Sequence, residues 1–449
     1  MAKSKMTVVA ASVVAVLAVG YPAAAWYLGS QIEKAHADVR SMIAAQPYLK
    51  IASESYERGL FSASETTTIE IPAALFQPVV TETDEAAASA EKPKAEPPIR
   101  ITIKTAIKHG PLPGFSALAA GSETSTIEFD EPLRAKLAEA FGSDQPFDIR
   151  TTYNFVGGGR STFASKPFKL VLPGDTPESN ANLSGEPTEL VMEFSKGLAD
   201  YTVRGTAPGF TLSEADGSGL TVKGMAFDSQ LKRVFPDEPL LYAGSQKVTV
   251  AEINVNPGAA EQAEPKQKVA LKEIAYDVQM PVTGEFMDVI AKLGVNVVQV
   301  GEQNYGPANY DFSLKHLHGR KLATLSRGIT ALYAKPEAFA NQGQLVQAMA
   351  PLAAPLFDLL ADGPVFSIDR IAFRTTDGEA SFNASVKLTD PKPDDFSNPL
   401  MLLAKLDAGA AIALPTALVD TLIGIGKSEE EVPFAQQSAA NTLEQFKQQ

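Results

Sequence analysis

The longest apolar stretch of this chain comes first. No charge occurs from Met6 to Leu28, and Val8, Val9, Val13, Val14, Val16, Leu17 and Val19 are set among alanines. A helix of that length spans about 34 Å, against about 30 Å for a bilayer's hydrocarbon core. The run therefore predicts a membrane-spanning helix anchored along Met6, Val9, Val13, Leu17, Tyr21, Trp26, Tyr27 and Leu28. Tyr21, Trp26 and Tyr27 fall where an interfacial aromatic belt belongs, and Lys3 and Lys5 mark the cytoplasmic side. Ala23-Ala24-Ala25 also fits a signal-peptide cleavage site, so cleavage after Ala25 stays open as an alternative. Either way the rest of the chain is delivered across the inner membrane.

Beyond a helix expected over 31–46, the rhythm changes to period two. In Ile99–Lys108, Ile99, Ile101, Ile103 and Ile107 alternate with Arg100, Thr102, Lys104 and Lys108. Such alternation describes a sheet with one apolar and one wet face. Similar runs predict strands over 66–71, 125–129, 148–156, 168–172, 189–194, 247–255 and 270–278, joined by turns such as Gly157-Gly158-Gly159 and Asp216-Gly217-Ser218-Gly219. The tract 81–98, rich in Ala, Glu, Lys and Pro, reads as a disordered insertion. Residues 257–267 and 390–399 read as loops.

In the second half, Phe286, Val289, Ile290 and Leu293 follow helical spacing between Thr283 as N-cap and Gly294 as stop. A second helical region spans 336–360, broken by Pro351 and Pro355. A hairpin follows: a strand over 365–375, the Asp377-Gly378 turn and a strand over 380–388, with a bulge between Ile368 and Ile371. A strand over 407–415, a short helix over 416–424 and a helix over 442–446 complete the expectation.

The predicted fold is α+β: an N-terminal transmembrane helix, then a mainly antiparallel sheet with helices in the C-terminal half. The expected regions are a leader and transmembrane helix (1–29), a β-rich periplasmic region (30–280), an α+β periplasmic region (281–425) and a polar tail (426–449).

Composition narrows the chemistry. The formal charge is −14, from 39 basic and 53 acidic residues in 449, and the basic residues are not clustered. Nucleic acid is therefore set aside as a partner. The chain has no cysteine, which excludes disulfides and thiolate metal sites.

Three short motifs carry a family resemblance. A basic start leads to an apolar span closing in Ala25-Trp26-Tyr27-Leu28-Gly29. Tyr56-Glu57-Arg58-Gly59-Leu60-Phe61-Ser62 and His109-Gly110-Pro111-Leu112-Pro113 follow, and later a helix, Gly363-Pro364 and a hairpin. In order and spacing these resemble the YdgA-like bacterial proteins, a domain of unknown function. The acidic insertion at 81–98 departs from that pattern. The resemblance implies inner-membrane anchoring and a periplasmic body, and it supplies no reaction.

The candidate residues each have a plain alternative. His109 ends a strand before Gly110-Pro111; it reads as a turn histidine whose ring bonds to backbone, against a role as general base for which no partner is placed. His316 and His318, two apart on a strand, form at most a two-point metal site. Gly59 suits a tight bend, and Arg58 is an ion-pair partner or a lipid-phosphate ligand. Gly157–Gly159 lacks the phosphate-loop spacing, and no hydrolase motif is present. No catalytic residue, metal or cofactor is expected. The leading expectation is a non-enzymatic envelope protein binding a lipid-like or protein partner; the rivals are an assembly protein acting through homo-oligomers and a periplasmic hydrolase built on His109.

Overall fold

Alternating side chains make strands, and here every described strand joins one sheet. The structure, a computed structural model, describes residues 2–73, 97–131, 133–174, 180–258, 267–335, 342–392 and 399–415, with 395, 417 and 437; over 2–19 it gives the backbone alone. The expected insertion (81–98), the helices over 416–424 and 442–446 and the polar tail lie outside these residues, apart from 97, 98, 417 and 437.

The helices are α1 (Ala2–Ala44), α2 (Leu133–Phe141), α3 (Gly319–Tyr333), α4 (Gln342–Met349), α5 (Ala353–Leu360) and α6 (Pro399–Ala404). The first strands are β1 (Lys50–Arg58), β2 (Ser62–Ile71), β3 (Ile99–His109), β4 (Gly121–Phe129), β5 (Phe147–Tyr153), β6 (Gly159–Ser165), β7 (Phe168–Leu172), β8 (Ala181–Gly185) and β9 (Glu189–Phe194). They continue as β10 (Asp200–Glu214), β11 (Ser218–Arg233), β12 (Tyr242–Pro257), β13 (Val269–Met280), β14 (Val282–Thr283), β15 (Phe286–Val300), β16 (Gln303–Tyr305), β17 (Ala308–His318), β18 (Val365–Thr375), β19 (Gly378–Leu388) and β20 (Leu406–Ala413).

All described pairings are antiparallel. The path runs β1 to β6, then β9, β10, β11, β12, β13, β15, β17, β18, β19 and β20. The β7–β8 hairpin adds to β10 beside β9. The expected α+β class and antiparallel body are present. The sheet continues through residue 280, because β13 pairs with β15. The hairpin over 365–388 has the expected bulge between Ile368 and Ile371, and a 3-10 turn at Ala350–Leu352 separates α4 from α5 beside Pro351.

Two expectations are corrected. The helix expected from Phe286 to Gly294 is strand β15. Phe286 contacts His316 and His318, while its neighbour Met287 enters a core cluster with Leu317 and Leu359. Large apolar groups on both faces erase the period-two signal and mimic helical spacing, whereas Val295, Val297, Val298 and Val300 favour the strand. The second correction concerns where the expected anchor ends. Helix α1 is continuous, but among the described residues no helix is long and apolar enough to cross a membrane. Leu28, expected inside the span, instead packs with Ile32, Ala63 and Ile107 in the protein's own core. Ala25, Leu28, Gly29 and Ile32 fall on one helix face, and that face belongs to the sheet.

From β10 to β15 the apolar residues form a pattern visible only in register. On one side of a transverse row they are Val203 in β10, Met225 and Phe227 in β11, Val248 and Val250 in β12, Ile274 and Tyr276 in β13, and Leu293 and Val295 in β15. On the other side they are Phe210 and Leu212, Val222 and Leu220, Ile253 and Val255, Leu271 and Val269, and Val298 and Val300. Their parity flips at the row Pro208, Gly224, Ala251, Glu273 and Asn296. Gly224 and Glu273 take positive φ there, +64° and +53°, and Asn296 donates to Glu273 at 2.8 Å. One additional residue in each of five neighbouring strands preserves their register and keeps one face apolar throughout.

Candidate functional site

The three motif segments meet around α1. Its inward face descends through Tyr21, Ala25, Leu28, Gly29, Ile32 and His36. His109 is buried at the end of β3 with its Nδ1 2.9 Å from the Ala25 carbonyl. A carbonyl only accepts, so Nδ1 carries the proton and donates. The ring fills the space over Gly29, where an added Cβ would lie 2.6 Å from its Cε1. Gly110, at φ +124°, lets the backbone pass Ala25, and Pro113 is buried in the 3-10 turn that follows. Pro111 stands between them, half-buried.

The Tyr56–Ser62 segment grips the same helix. Arg58 donates to the Trp26 carbonyl at 3.2 Å, lies 5.0 Å from the Trp26 ring centroid and pairs with Glu33 at 3.1 Å. It is thus an ion-pair partner within the fold. The Gly59 amide donates to the Ser62 carbonyl and closes the β1–β2 turn. Phe61 reaches Tyr21, with centroids 5.9 Å apart, and the Tyr21 hydroxyl donates to the Leu112 carbonyl at 3.0 Å. Trp26 and Tyr27 are exposed. Of the other expected anchor positions, Met6, Val9, Val13 and Leu17 have helical backbone and undescribed side chains.

Two turns lower on α1 lies a cluster the sequence did not announce. His36 holds Glu65 through Nδ1 and Glu123 through Nε2, the latter at 2.9 Å. Tyr153 donates to Glu123 at 3.1 Å, and Arg40 bridges Glu65 and Glu54. Burial pulls the His36 pKa down, but its hydrogen bonds and the charges of Glu123 and Glu65 outweigh this and push it up to about 9. Burial raises Glu65, yet hydrogen bonds and charge from His36 and then Arg40 leave it below the usual carboxylate range. Burial, then the Glu123 charge, drive the Tyr153 hydroxyl far upward. His36 is therefore a doubly bonded imidazolium at neutral pH. It has no lone pair free to take a proton, so the cluster is chemically an ionic clasp.

His316 and His318 do not form a metal pair. His316 stacks on Phe286 at 4.0 Å, and His318 meets the edge of that ring at 5.3 Å with Glu285 3.5 Å from its Nε2. Among the described residues no group of three or more His, Asp or Glu could hold a metal. Gly157 and Gly158 belong to the β5–β6 turn, closed on the Asn154 side chain.

The apolar face forms the second candidate region. Beyond β15 it continues as Val289, Leu314, Phe366, Val386 and Ala408 in one line, and Ala291, Phe312, Ile368, Ala384 and Ala410 in the next. Over β17–β20 it opens as a trough of about 480 Å³ lined by Leu314, Phe366, Ile368, Ala384, Val386 and Ala410, among others. Helices α3 and α5 close one end through Leu322, Leu325 and Leu359. Further along, Val255, Tyr276, Leu293 and Tyr310 remain exposed.

Comparison with known proteins agrees with the motifs. No solved structure matches the chain. Protein YdgA of Escherichia coli (strain K12) is 22% identical over 419 residues, covering 86% of this chain and 75% of that protein. An uncharacterized protein of Haemophilus influenzae is 22% identical over 355 residues, covering 74% of this chain and 87% of its own length. A family model described as "Bacterial protein of unknown function (DUF945)" matches residues 3–449, so the chain belongs to that family.

Proposed function

We propose that this is a single-pass protein of the bacterial inner membrane, with its N-terminus cytoplasmic and its body periplasmic, whose apolar sheet face holds acyl chains of a lipid-like ligand. The observation carrying the reading is the continuity of that face over nine strands, β10–β13, β15 and β17–β20, maintained across a shared row of additional residues. Exposed apolar surface on this scale is unfavourable in water and is characteristic of binding surfaces. The opposite face carries Lys223, Glu252, Asp228, Lys247 and Asn254, as a solvated face should.

The uncharged leader and the seat of α1 support the anchor. With Ala25 and Leu28 in the protein core, the lipid-embedded part is Met6–Pro22, 17 residues, or about 25 Å. That is the short end of the spanning range, and Lys3 and Lys5 reach the far headgroups by snorkelling. The Ala25 carbonyl receives the His109 hydrogen bond, which favours retention of the segment over cleavage there. The binding reading is preferred to a hydrolase because His109 and His36 are both committed to holding α1.

The test is native mass spectrometry of the full chain extracted from membranes in mild detergent. Acyl-bearing lipid bound in stoichiometric amount is expected. A ligand-free protein that also ignores a fluorescent fatty acid would sink the reading.

A second reading, assembly through the sheet edge, draws on β20. All eight of its residues are exposed, and among the described strands it pairs with β19 alone. An edge of this kind is a template for another strand. Crosslinking a cysteine placed at Ala411 in intact cells distinguishes self-assembly from a monomeric carrier.

A further inference from the structure

The turns at one end of the N-terminal strands are arranged around the point where α1 leaves the body. The end is shared, since the His109 amide bonds to the Phe61 carbonyl, Gly110 to Ala120, Ala120 to Tyr153 and Asn154 to Gly158. Lys196 of the β9–β10 turn lies beside Gly157, 3.1 Å from where its Cβ would stand. Tyr21 of α1 lies against two of these turns, stacked on Phe115 at 6.5 Å and touching Phe61.

These turns expose apolar side chains as few surface loops do. Phe115 is 85% exposed, Val156 80% and Leu118 77%, and Leu60, Phe61 and Phe155 are about half exposed. Residues 59–61, 110–120, 154–158 and 195–199 contain no Asp or Glu, in a chain with 53 of them. Their single charge is Lys196, and Lys108 lies along Gly114 just behind.

We propose that these four turns form a collar that seats on the phosphate-bearing surface of the lipid bilayer, with Phe115, Leu118 and Val156 dipping among the headgroups. The inference rests on the anchor proposed above and adds a partner for a different surface. The occupant is identified by what leaves the ring. Helix α1 is continuous from Ala2 through Tyr21, and Gly20 is exposed with nothing within 4 Å of a Cβ position. If Met6–Pro22 crosses the hydrocarbon, Tyr21 stands at the interface and the turns lie at headgroup depth. Aromatic and aliphatic tips with lysines, free of carboxylates, match an anionic lipid surface, where each apolar tip gains by leaving water and each lysine is attracted. The collar would hold the sheet at a fixed height and tilt above the membrane.

The cysteine-free chain makes the test direct. Full-length Leu118→Cys, Val156→Cys and, as a distant control, Leu403→Cys are each labelled with an environment-sensitive fluorophore. They are then reconstituted into vesicles of phosphatidylethanolamine and phosphatidylglycerol. The labels at 118 and 156 should shift to the blue and lose emission to spin-labelled lipids carrying the quencher near the headgroup, while the label at 403 should do neither. If all three behave alike and the protein still floats with the vesicles, the collar is overturned and the anchor stands. If the protein does not float, the anchor is wrong and the collar falls with it.

Discussion

Helix α1 covers the apolar side of β1–β5 and seals the seam with charge, whereas β10–β20 carry a larger apolar face that, among the described residues, α3 and α5 close at one end. In the first region Leu28 and Ile32 supply apolar burial, each contributing about 1.5–3 kcal/mol. His36, Arg40, Glu65 and Glu123 then fix where the helix lies. Buried ions contribute little net stability but penalise every misalignment that leaves one of them unpaired. Among the described residues the second region shows no such cluster of ions on its apolar face. The contrast indicates that the N-terminal region specifies one arrangement of α1, while the later strands specify a polarity.

Breaking the clasp should have the largest effect. His36→Ala leaves Glu123 without its cation and Glu65 with Arg40 alone, and should cost about 3–5 kcal/mol, read by denaturant unfolding and by protease access to α1. A loss under about 1 kcal/mol would mean that the ions are bystanders. Raising the pH tests the same contact without a mutation. Folded His36 keeps its proton up to about 9, against an ordinary value of 6.5. Its contribution, of order 3 kcal/mol, is complete below pH 6.5 and disappears as the pH rises through about 9. Glu65 acts in the opposite sense: its lowered pKa means its contribution is lost as acid protonates it. The protection of the α1 amides, relative to their intrinsic exchange rate, should therefore fall as the pH rises from 6.5 through about 9 and fall again in acid.

Gly29→Ala probes the seat of His109. Alanine normally favours a helix by about 1 kcal/mol, but this Cβ would meet the imidazole at 2.6 Å, so a net loss of about 1–3 kcal/mol is expected in chemical unfolding. The smallest stability effect should come from the other region. Ala384→Glu, in the half-exposed trough, should change unfolding free energy by under about 1 kcal/mol yet remove co-purifying lipid. Equal lipid retention in wild type and variant would separate the trough from ligand binding.

The sequence carried about half of the described strands and one of the two decisive contacts. The alternation in Ile99–Lys108 marked β3 because a pleat has period two. The hairpin at 365–388 was legible to its bulge, because Asp377-Gly378 and two flanking phases are local signals. His109 was placed as a histidine bonded to backbone, and it is; that the backbone belongs to Ala25, 84 positions away, was beyond local reading. Strand β15 was misread because apolar neighbours on both faces hid its period.

What the sequence determined alone is everything with a short period: the uncharged leader, the alternating strands, the turns and the absence of cysteine chemistry. Tertiary structure decided what depends on distant residues coming together. Glu65 and Glu123 lie 29 and 87 positions from His36, and nothing local marks them as partners. The row from Pro208 to Asn296 becomes a single feature only when five strands are set in register, because parity has meaning only relative to a neighbour.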